Sequence, residues 1–311
     1  MNWDGVLPLN KPRGKTSHDV IEDLRRLLKY KRIGHAGTLD PLASGLLLVC
    51  LGEAVKVVQF LQDLDKEYVA EIRLGIVTDT YDSEGKILKV EENLELESEN
   101  VRQVINSFQG EIEQLPPIYS AIRHEGKKLY TYARKGIEVK RTKRKIEIKR
   151  IDQIKINLPF VHFRVLCSKG TYIRSLAFDI GERLGCGAYL YSLCRTRIGH
   201  FKIEDSLMLE DIDSLSKVDE TRRRLHTIEE ALSYLPTVSV DESLAERVKT
   251  GVDIRAKDLK IAQIHFEKGN LVAIKDNSKR ILAIARALIS SQEIQKVRGE
   301  EKVFEYKRVL I

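Results

Sequence analysis

His35-Ala-Gly-Thr-Leu-Asp-Pro-Leu-Ala-Ser-Gly45 runs directly into Leu46-Leu-Leu-Val-Cys-Leu51, which Gly52 closes. The second part has the length and the unbroken apolar composition of a strand buried on both faces. Ahead of it, Gly34 and Gly37 bracket a loop that ends at Asp40-Pro41, so a carboxylate sits just outside a core. Chemistry alone reads an aspartate before proline as a turn former whose carboxylate caps nearby amides, and His35 as a structural hydrogen-bonding residue. A catalytic role for either is the alternative.

Toward the N-terminus, Thr16 or Ser17 caps a helix whose Val20, Ile21, Leu24, Leu27 and Leu28 recur on one face; its basic last turn suits the helix dipole. Toward the C-terminus, Lys66 to Leu74 alternates with Tyr68, Ala70, Ile72 and Leu74 on one face, which points Tyr68 inward. Thr78 to Gly85 is turn-rich, and an acidic linker from Glu91 to Asn100 leads to a helix near Val101 to Phe108. Arg144 to Ile156 and Phe160 to Cys167 read as strands. Ser168 to Ser175 then opens a helix that ends at Leu184 with Gly185 as its cap, which leaves Arg174 at a strand-to-helix junction. A helix over Thr227 to Leu235 stops at Pro236. Beyond it, Ile261 to Phe266, Leu271 to Lys275 and Val303 to Arg308 alternate over short runs, which predicts a small β-rich C-terminal domain.

The 311 residues are about twice a common domain length, so two cores are expected. With 42% hydrophobic and 32% charged residues the chain reads as globular, and no apolar run approaches the roughly 18 residues of a membrane span. Met1 to Val6 carries neither a basic nor an apolar leader region, so a cytoplasmic protein without a membrane partner is expected. Cys50, Cys167, Cys186 and Cys194 have no zinc-type spacing and read as reduced thiols. The net charge of +7 and pI near 9.0 favour a polyanionic partner. Between Arg123 and Arg150, twelve Lys or Arg face only Glu125, Glu138 and Glu147, with Tyr119, Tyr130 and Tyr132 nearby. Such a segment is either a contact for unpaired RNA or a solvated basic hairpin.

Gly14-Lys15-Thr16-Ser17 imitates the end of a phosphate-binding loop, but Leu9 stands where that motif needs glycine. The Pro-Cys-x-x-Cys pair of zinc deaminases is absent, and the seven histidines are scattered.

Five ordered blocks carry a resemblance: Asn10-Lys-Pro-Arg-Gly-Lys-Thr-Ser17, Gly34 to Gly45, Lys66-Glu-Tyr68, Leu115-Pro-Pro-Ile-Tyr-Ser-Ala121 and Ser168-Lys-Gly-Thr-Tyr-Ile-Arg174. Together they closely resemble the TruB family of tRNA pseudouridine synthases. The tail from about Pro236, including Leu244 to Ile254, resembles a PUA domain, a small RNA-binding pseudobarrel. The resemblance implies an α/β (α+β) catalytic domain over residues 1–235, built on an extended mixed, largely antiparallel sheet, and a PUA domain over 236–311. It also implies a stand-alone isomerase, monomeric and without a required protein partner, that flips out uridine 55 in the T-loop of tRNA and converts it to pseudouridine with no cofactor and no metal. A guide-RNA-dependent relative acting on ribosomal RNA and a non-catalytic RNA-binding or folding module are the rivals.

Residue by residue, Asp40 resembles the family's nucleophile or base and Arg174 the arginine that pairs with it, where a guanidinium can offer two hydrogen bonds. Tyr68 resembles the tyrosine that stacks on the target base, with a core aromatic as the alternative. His35 resembles the histidine that helps hold the flipped nucleotide. Lys11 and Lys169 are candidates for positioning phosphates or the active-site loop, and Leu193 for packing near the base or in the core. The basic segment, about 123–150, falls where the family carries an insertion that closes over the T-arm, which makes Lys140, Arg141, Lys143 and Arg144 candidate RNA contacts.

Overall fold

A computed structural model describes residues 3–120, 122–133, 135–137, 139–212, 221–259, 265–294, 296–297 and 299–310. In chain order, β1 (Gly5–Lys11), α1 (Ser17–Leu28), β2 (Ile33–Ala36) and β3 (Ser44–Leu51) form the first half of the main sheet with the helix that covers it. Next come α2 (Val58–Gln62), β4 (Lys66–Leu74), a hairpin of β5 (Ile76–Thr78) and β6 (Ile87–Val90), α3 (Ser98–Asn106) and β7 (Gly110–Gln114). The basic segment holds β8 (Arg123–His124), β9 (Lys127–Lys128) and α4 (Leu129–Ala133). They are followed by β10 (Arg144–Asn157), β11 (Phe160–Cys167), α5 (Ile173–Leu184), β12 (Ala188–Ile198), β13 (Phe201–Lys202) and β14 (Leu207–Met208). From Arg144 onward the basic segment is therefore a strand of the main sheet, and the part outside the sheet ends at Lys143.

Among the described residues ten strands make one sheet, in the order β14-β1-β3-β12-β4-β11-β10-β7, with β2 on β3 and β13 on β12. All pairings are antiparallel except β1–β14 and β3–β12. The joint between the two halves is that short parallel pairing, Ser44 with Cys194 and Gly45 with Arg195. Gly45 has φ +105°, and a Cβ there would lie 2.4 Å from the Arg195 carbonyl oxygen, so only glycine lets β3 and β12 meet.

β3 is apolar on both faces because both are covered. Leu47, Val49 and Leu51 pack with Leu7, Leu9, Trp3 and the α1 residues Val20, Ile21 and Leu24. A capping box between Thr16 and Asp19 starts α1 and fixes that packing. On the opposite face Leu46, Leu48 and Cys50 pack with Phe60, Leu61, Leu232 and Leu235. β4 alternates instead. Tyr68, Ala70, Ile72 and Leu74 turn toward α3 and α5, while Glu71 and Arg73 on the other face are only partly buried.

Past Pro236 a second sheet runs β15 (Thr237–Ser239), β16 (Leu271–Lys275), β17 (Ile281–Ala287) and β18 (Phe304–Val309), in that order, around a core that includes the helix Glu242–Lys249. The expected strand Ile261 to Phe266 falls largely outside the described residues. The helix expected over Thr227 to Leu235 is a shorter one, Ile228–Ala231. No helix of the described residues is long and apolar enough to cross a membrane.

The two sheets share a core. Ala273, Ile281, Ile284 and Leu310 belong to the same apolar cluster as Leu46, Leu48 and Cys50 on the back of β3. Ile284→Ala is therefore expected to cost about 2–5 kcal/mol. Because β3 lies between this cluster and the one that holds Trp3, the one tryptophan, the midpoint followed by its fluorescence should fall in urea along with that of circular dichroism. An unmoved Trp3 midpoint would separate the two cores.

Lys66 gives a pH test of burial. Its ammonium donates to the Gln62 and Leu64 carbonyls, and burial, aided by the nearby Arg195 charge, lowers its pKa from the ordinary 10.5 to about 8. Between those values the unfolded chain binds more protons, so stability from this group rises as pH rises through the window and is lowest below about 8. The melting-temperature difference between wild type and Lys66→Met should shift toward wild type as pH climbs from about 8 to about 10.5. A difference flat with pH would contradict it.

Candidate active site

The loop between β2 and β3 is held by its backbone. Ser17 Oγ both donates to the Leu39 carbonyl (3.2 Å) and accepts from the Leu39 N–H (2.8 Å), and Gly14 N–H donates to the Pro41 carbonyl (2.8 Å). Ala43 N–H donates to the Asp40 carbonyl at 3.1 Å. None of the hydrogen bonds among the described residues ends on the Asp40 carboxylate, so it does not cap the turn. It is left 40% exposed, facing Arg174.

Arg174 sits in the first turn of α5 and is 4% exposed. The start of that helix has no side-chain cap of its own. Gln114, buried at the end of β7, takes that place: its Oε1 accepts from Tyr172 N–H (2.8 Å) and its Nε2 donates to the Tyr172 carbonyl (3.0 Å). Ser175 Oγ donates to the Leu115 carbonyl at 2.8 Å. So anchored, Arg174 gives Nη1 to the Thr80 carbonyl (3.1 Å) and Nη2 to the Tyr119 carbonyl (2.8 Å). Only Nε, 2.9 Å from Asp40 Oδ2, faces the carboxylate, and its N–H is not aligned for a hydrogen bond. The two-bond fork that a guanidinium can make is spent on carbonyls, and the contact with Asp40 is Coulombic.

A second carboxylate stands behind the pair. Asp82 is 4% exposed, lies 3.5 Å from Arg174 Nη1, and accepts from Thr80 Oγ1 (2.5 Å) and Glu84 N–H (3.1 Å). Burial pushes its carboxyl above the usual range, against the pull of Thr80 and Arg174. The sequence showed only a turn-rich segment here. Asp82 carries no spacing signal, because what singles it out is contact with residues far along the chain.

Tyr68 is 9% exposed on the inner face of β4, and burial raises its phenol pKa while the adjacent Arg195 guanidinium opposes the rise. Leu193 pairs across β12 with Ala70 and packs on the same core. His35 is half-buried with Nδ1 making no hydrogen bond; burial first, then the Arg195 charge, lower its pKa and favour neutral imidazole. Lys11 is fully buried. Its ammonium donates to the Pro12 (2.9 Å) and Lys15 (2.6 Å) carbonyls, and burial brings its pKa down to about 8 although Asp40 opposes this. It has no surface to offer a phosphate and instead holds the loop that follows β1.

Other candidates stand apart from this cluster. Lys169 is exposed and paired with Asp63 at 2.8 Å. Lys140, Lys143 and Arg144 are exposed, while Arg141 Nη1 donates to the Pro116 carbonyl at 2.9 Å. Ala121, Arg134 and Glu138 lie outside the described residues. Among the described residues no group of three His, Cys, Asp or Glu could hold a metal ion.

Residues 25–173 match the TruB family pseudouridylate synthase N-terminal domain, 174–233 the tRNA pseudouridylate synthase B C-terminal domain, and 236–310 the PUA domain. The tRNA pseudouridine synthase B of Clostridium tetani is 47% identical over 82% of this chain and 87% of its own. That of Burkholderia pseudomallei is 44% identical over 91% of this chain and 93% of its own. Among solved structures, a chain of a Cbf5-Nop10-Gar1 complex superposes with TM-score 0.78 at 32% identity, covering 99% of this chain and 85% of that one. Relatives this similar over most of their length, with the family's two domains tiling residues 25–233, make this chain a member of the TruB family of pseudouridylate synthases and hence an isomerase carrying a PUA domain.

Proposed function

We propose that the chain isomerises uridine 55 in the T-loop of tRNA to pseudouridine, alone and without a cofactor, with Asp40 as the reacting carboxylate. The observation that carries this reading is the half-exposed Asp40 held 2.9 Å from buried Arg174 with both of its oxygens free of backbone hydrogen bonds. The names of the most similar relatives support tRNA as the substrate class.

The reaction breaks the N1–C1′ bond and makes a C5–C1′ bond; C5 loses a proton, N1 gains one, and the composition is unchanged. The target nucleotide must leave the stack to reach a carboxylate at the bottom of a loop, and a neutral His35 beside that loop suits holding it out. Arg174 gives Asp40 a Coulombic partner without tying up its lone pairs, which a nucleophile or base needs. Tyr68 offers a ring to the detached uracil so that it can rotate without escaping. Leu193 borders the same space.

Residues 1–235 would carry the chemistry and 236–311 would grip RNA away from it, a division supported by family matches that stop at 233 and resume at 236. The likeness to a chain of a Cbf5-Nop10-Gar1 complex would favour a protein that works in an assembly. The higher identity to the tRNA pseudouridine synthases B favours the stand-alone monomer, active in the cytoplasm.

Purified protein mixed with an unmodified tRNA transcript, and nothing else, should yield pseudouridine at position 55. Asp40→Asn should lose the product, by about 10⁴-fold or more, while binding RNA normally. Turnover that needs a guide RNA, or that survives in Asp40→Asn, would overturn the reading. The exposed Lys140, Lys143 and Arg144 should contact phosphates. Reversing all three charges should weaken tRNA binding and lower the slope of log K against log salt by about 1 for each phosphate no longer neutralised. An unchanged slope would leave that segment a solvated hairpin.

A further inference from the structure

We propose that Arg195 is the positioning residue that fixes Asp40 against Tyr68. Its side chain is 1% exposed. Nε donates to the Leu46 carbonyl (2.7 Å), Nη2 to the Gly37 carbonyl (3.0 Å) and Nη1, at the limit of hydrogen bonding, to the Thr38 carbonyl (3.5 Å). Those carbonyls flank Asp40 on both sides in the chain, so one guanidinium ties the two ends of its loop. None of the hydrogen bonds of Arg195 among the described residues ends on a carboxylate. Burying a cation in this way is costly unless its donors find acceptors, and here three of the five N–H groups go to these carbonyls.

The same residue reaches the other half of the site. On β4 its cross-strand neighbour is Tyr68, and the guanidinium lies against the phenol. On β3 its neighbour is Gly45, which pairs in turn with Lys11 on β1. Lys11, Gly45, Arg195 and Tyr68 thus form one row across four strands, and Arg195 is the member whose side chain touches both the loop of Asp40 and the ring. Lysine would keep the charge but offers one nitrogen, which cannot serve carbonyls at both ends of the loop.

This inference rests on Asp40 being the reacting carboxylate. Arg195→Lys, Arg195→Met and Asp40→Asn are compared with Val248→Ala, a variant destabilised in the C-terminal core, whose apolar cluster contains no residue of the loop, of β3 or of β12. The readouts are kcat, KM and Kd for a tRNA transcript, well below each melting temperature. Arg195→Lys is expected to lose about 100-fold in kcat with KM and Kd unchanged, as for a small misplacement of a reacting group, and Arg195→Met at least as much. Val248→Ala should keep wild-type kcat. Amide exchange at Leu39 and Ala43 should quicken in both Arg195 variants, and whichever of them folds carries the test. Wild-type kcat and exchange in Arg195→Lys overturn the proposal, as does an equal kcat loss in Val248→Ala. Turnover retained in Asp40→Asn would instead sink the reading of the reaction, whatever Arg195 does.

Discussion

The parallel contact of Ser44 and Gly45 with Cys194 and Arg195 is the constraint on which the site depends. The half of the sheet before it carries Asp40, and the half after it carries Tyr68 and, through α5, Arg174. Without this joint the halves would be two separate sheets. Two residue pairs are little pairing for such a duty. What makes them sufficient is the absence of a Cβ at Gly45, which allows backbone contact, and the wrapping of the Arg195 side chain around the loop that enters β3.

The charges around the loop follow from that geometry. Arg174, Arg195 and Lys11 are each almost fully buried, and Asp40 is the half-exposed anion among them. Desolvation disfavours the lysine cation enough to bring its pKa to about 8, so this part of the core is under electrostatic load. The cations cannot all pair with carboxylates, and backbone carbonyls take the remaining donors: Pro12 and Lys15 for Lys11, Thr80 and Tyr119 for Arg174, Gly37, Thr38 and Leu46 for Arg195. Each such bond also freezes a loop, so satisfying the buried cations and ordering the site are one and the same set of contacts. Asp82, whose carboxyl burial pushes up, keeps Arg174 from turning wholly toward Asp40.

Much of this was legible in the sequence wherever periodicity speaks. The continuous apolar run of β3, the alternation of β4 and at the start of β10, and the glycine that ends α5 with φ +80° appear where their patterns put them. Asp40 was visible as a carboxylate outside a core, and Arg174 as a residue at a helix start. Gln114, Asp82 and Arg195 were not legible. Each is a polar side chain in a position that alternation or turn composition describes as ordinary, and each acts on partners tens of residues away: Arg195 meets Gly37 across 158 positions and Gln114 meets Tyr172 across 58. Lys11 reads as a surface cation for the same reason, since only the fold shows that Pro12 and Lys15 curl back over its ammonium. Over Arg144 to Arg150 two readings overlapped, a strand by alternation and part of the basic insertion by resemblance; the strand is what forms, with Arg144 beginning β10 and Ile146 and Ile148 buried beneath the charges.

The two halves of the sheet are not equivalent, and the difference explains which residues can move. β3 is covered on one face by α1 and on the other by a core that continues into the C-terminal sheet, so the strand behind Asp40 is clamped from both sides. β4 and β11 are covered on one face only; the other carries charged pairs such as Arg164 with Asp152 at 2.7 and 3.0 Å and is open to solvent. Asp40, the carboxylate proposed to react, is thus mounted on the stiff half, and Tyr68 belongs to the half with fewer constraints. In that light the C-terminal sheet does more than add a second RNA-binding surface. By packing against Leu46, Leu48 and Cys50 it supports the strand from which the Asp40 loop is hung.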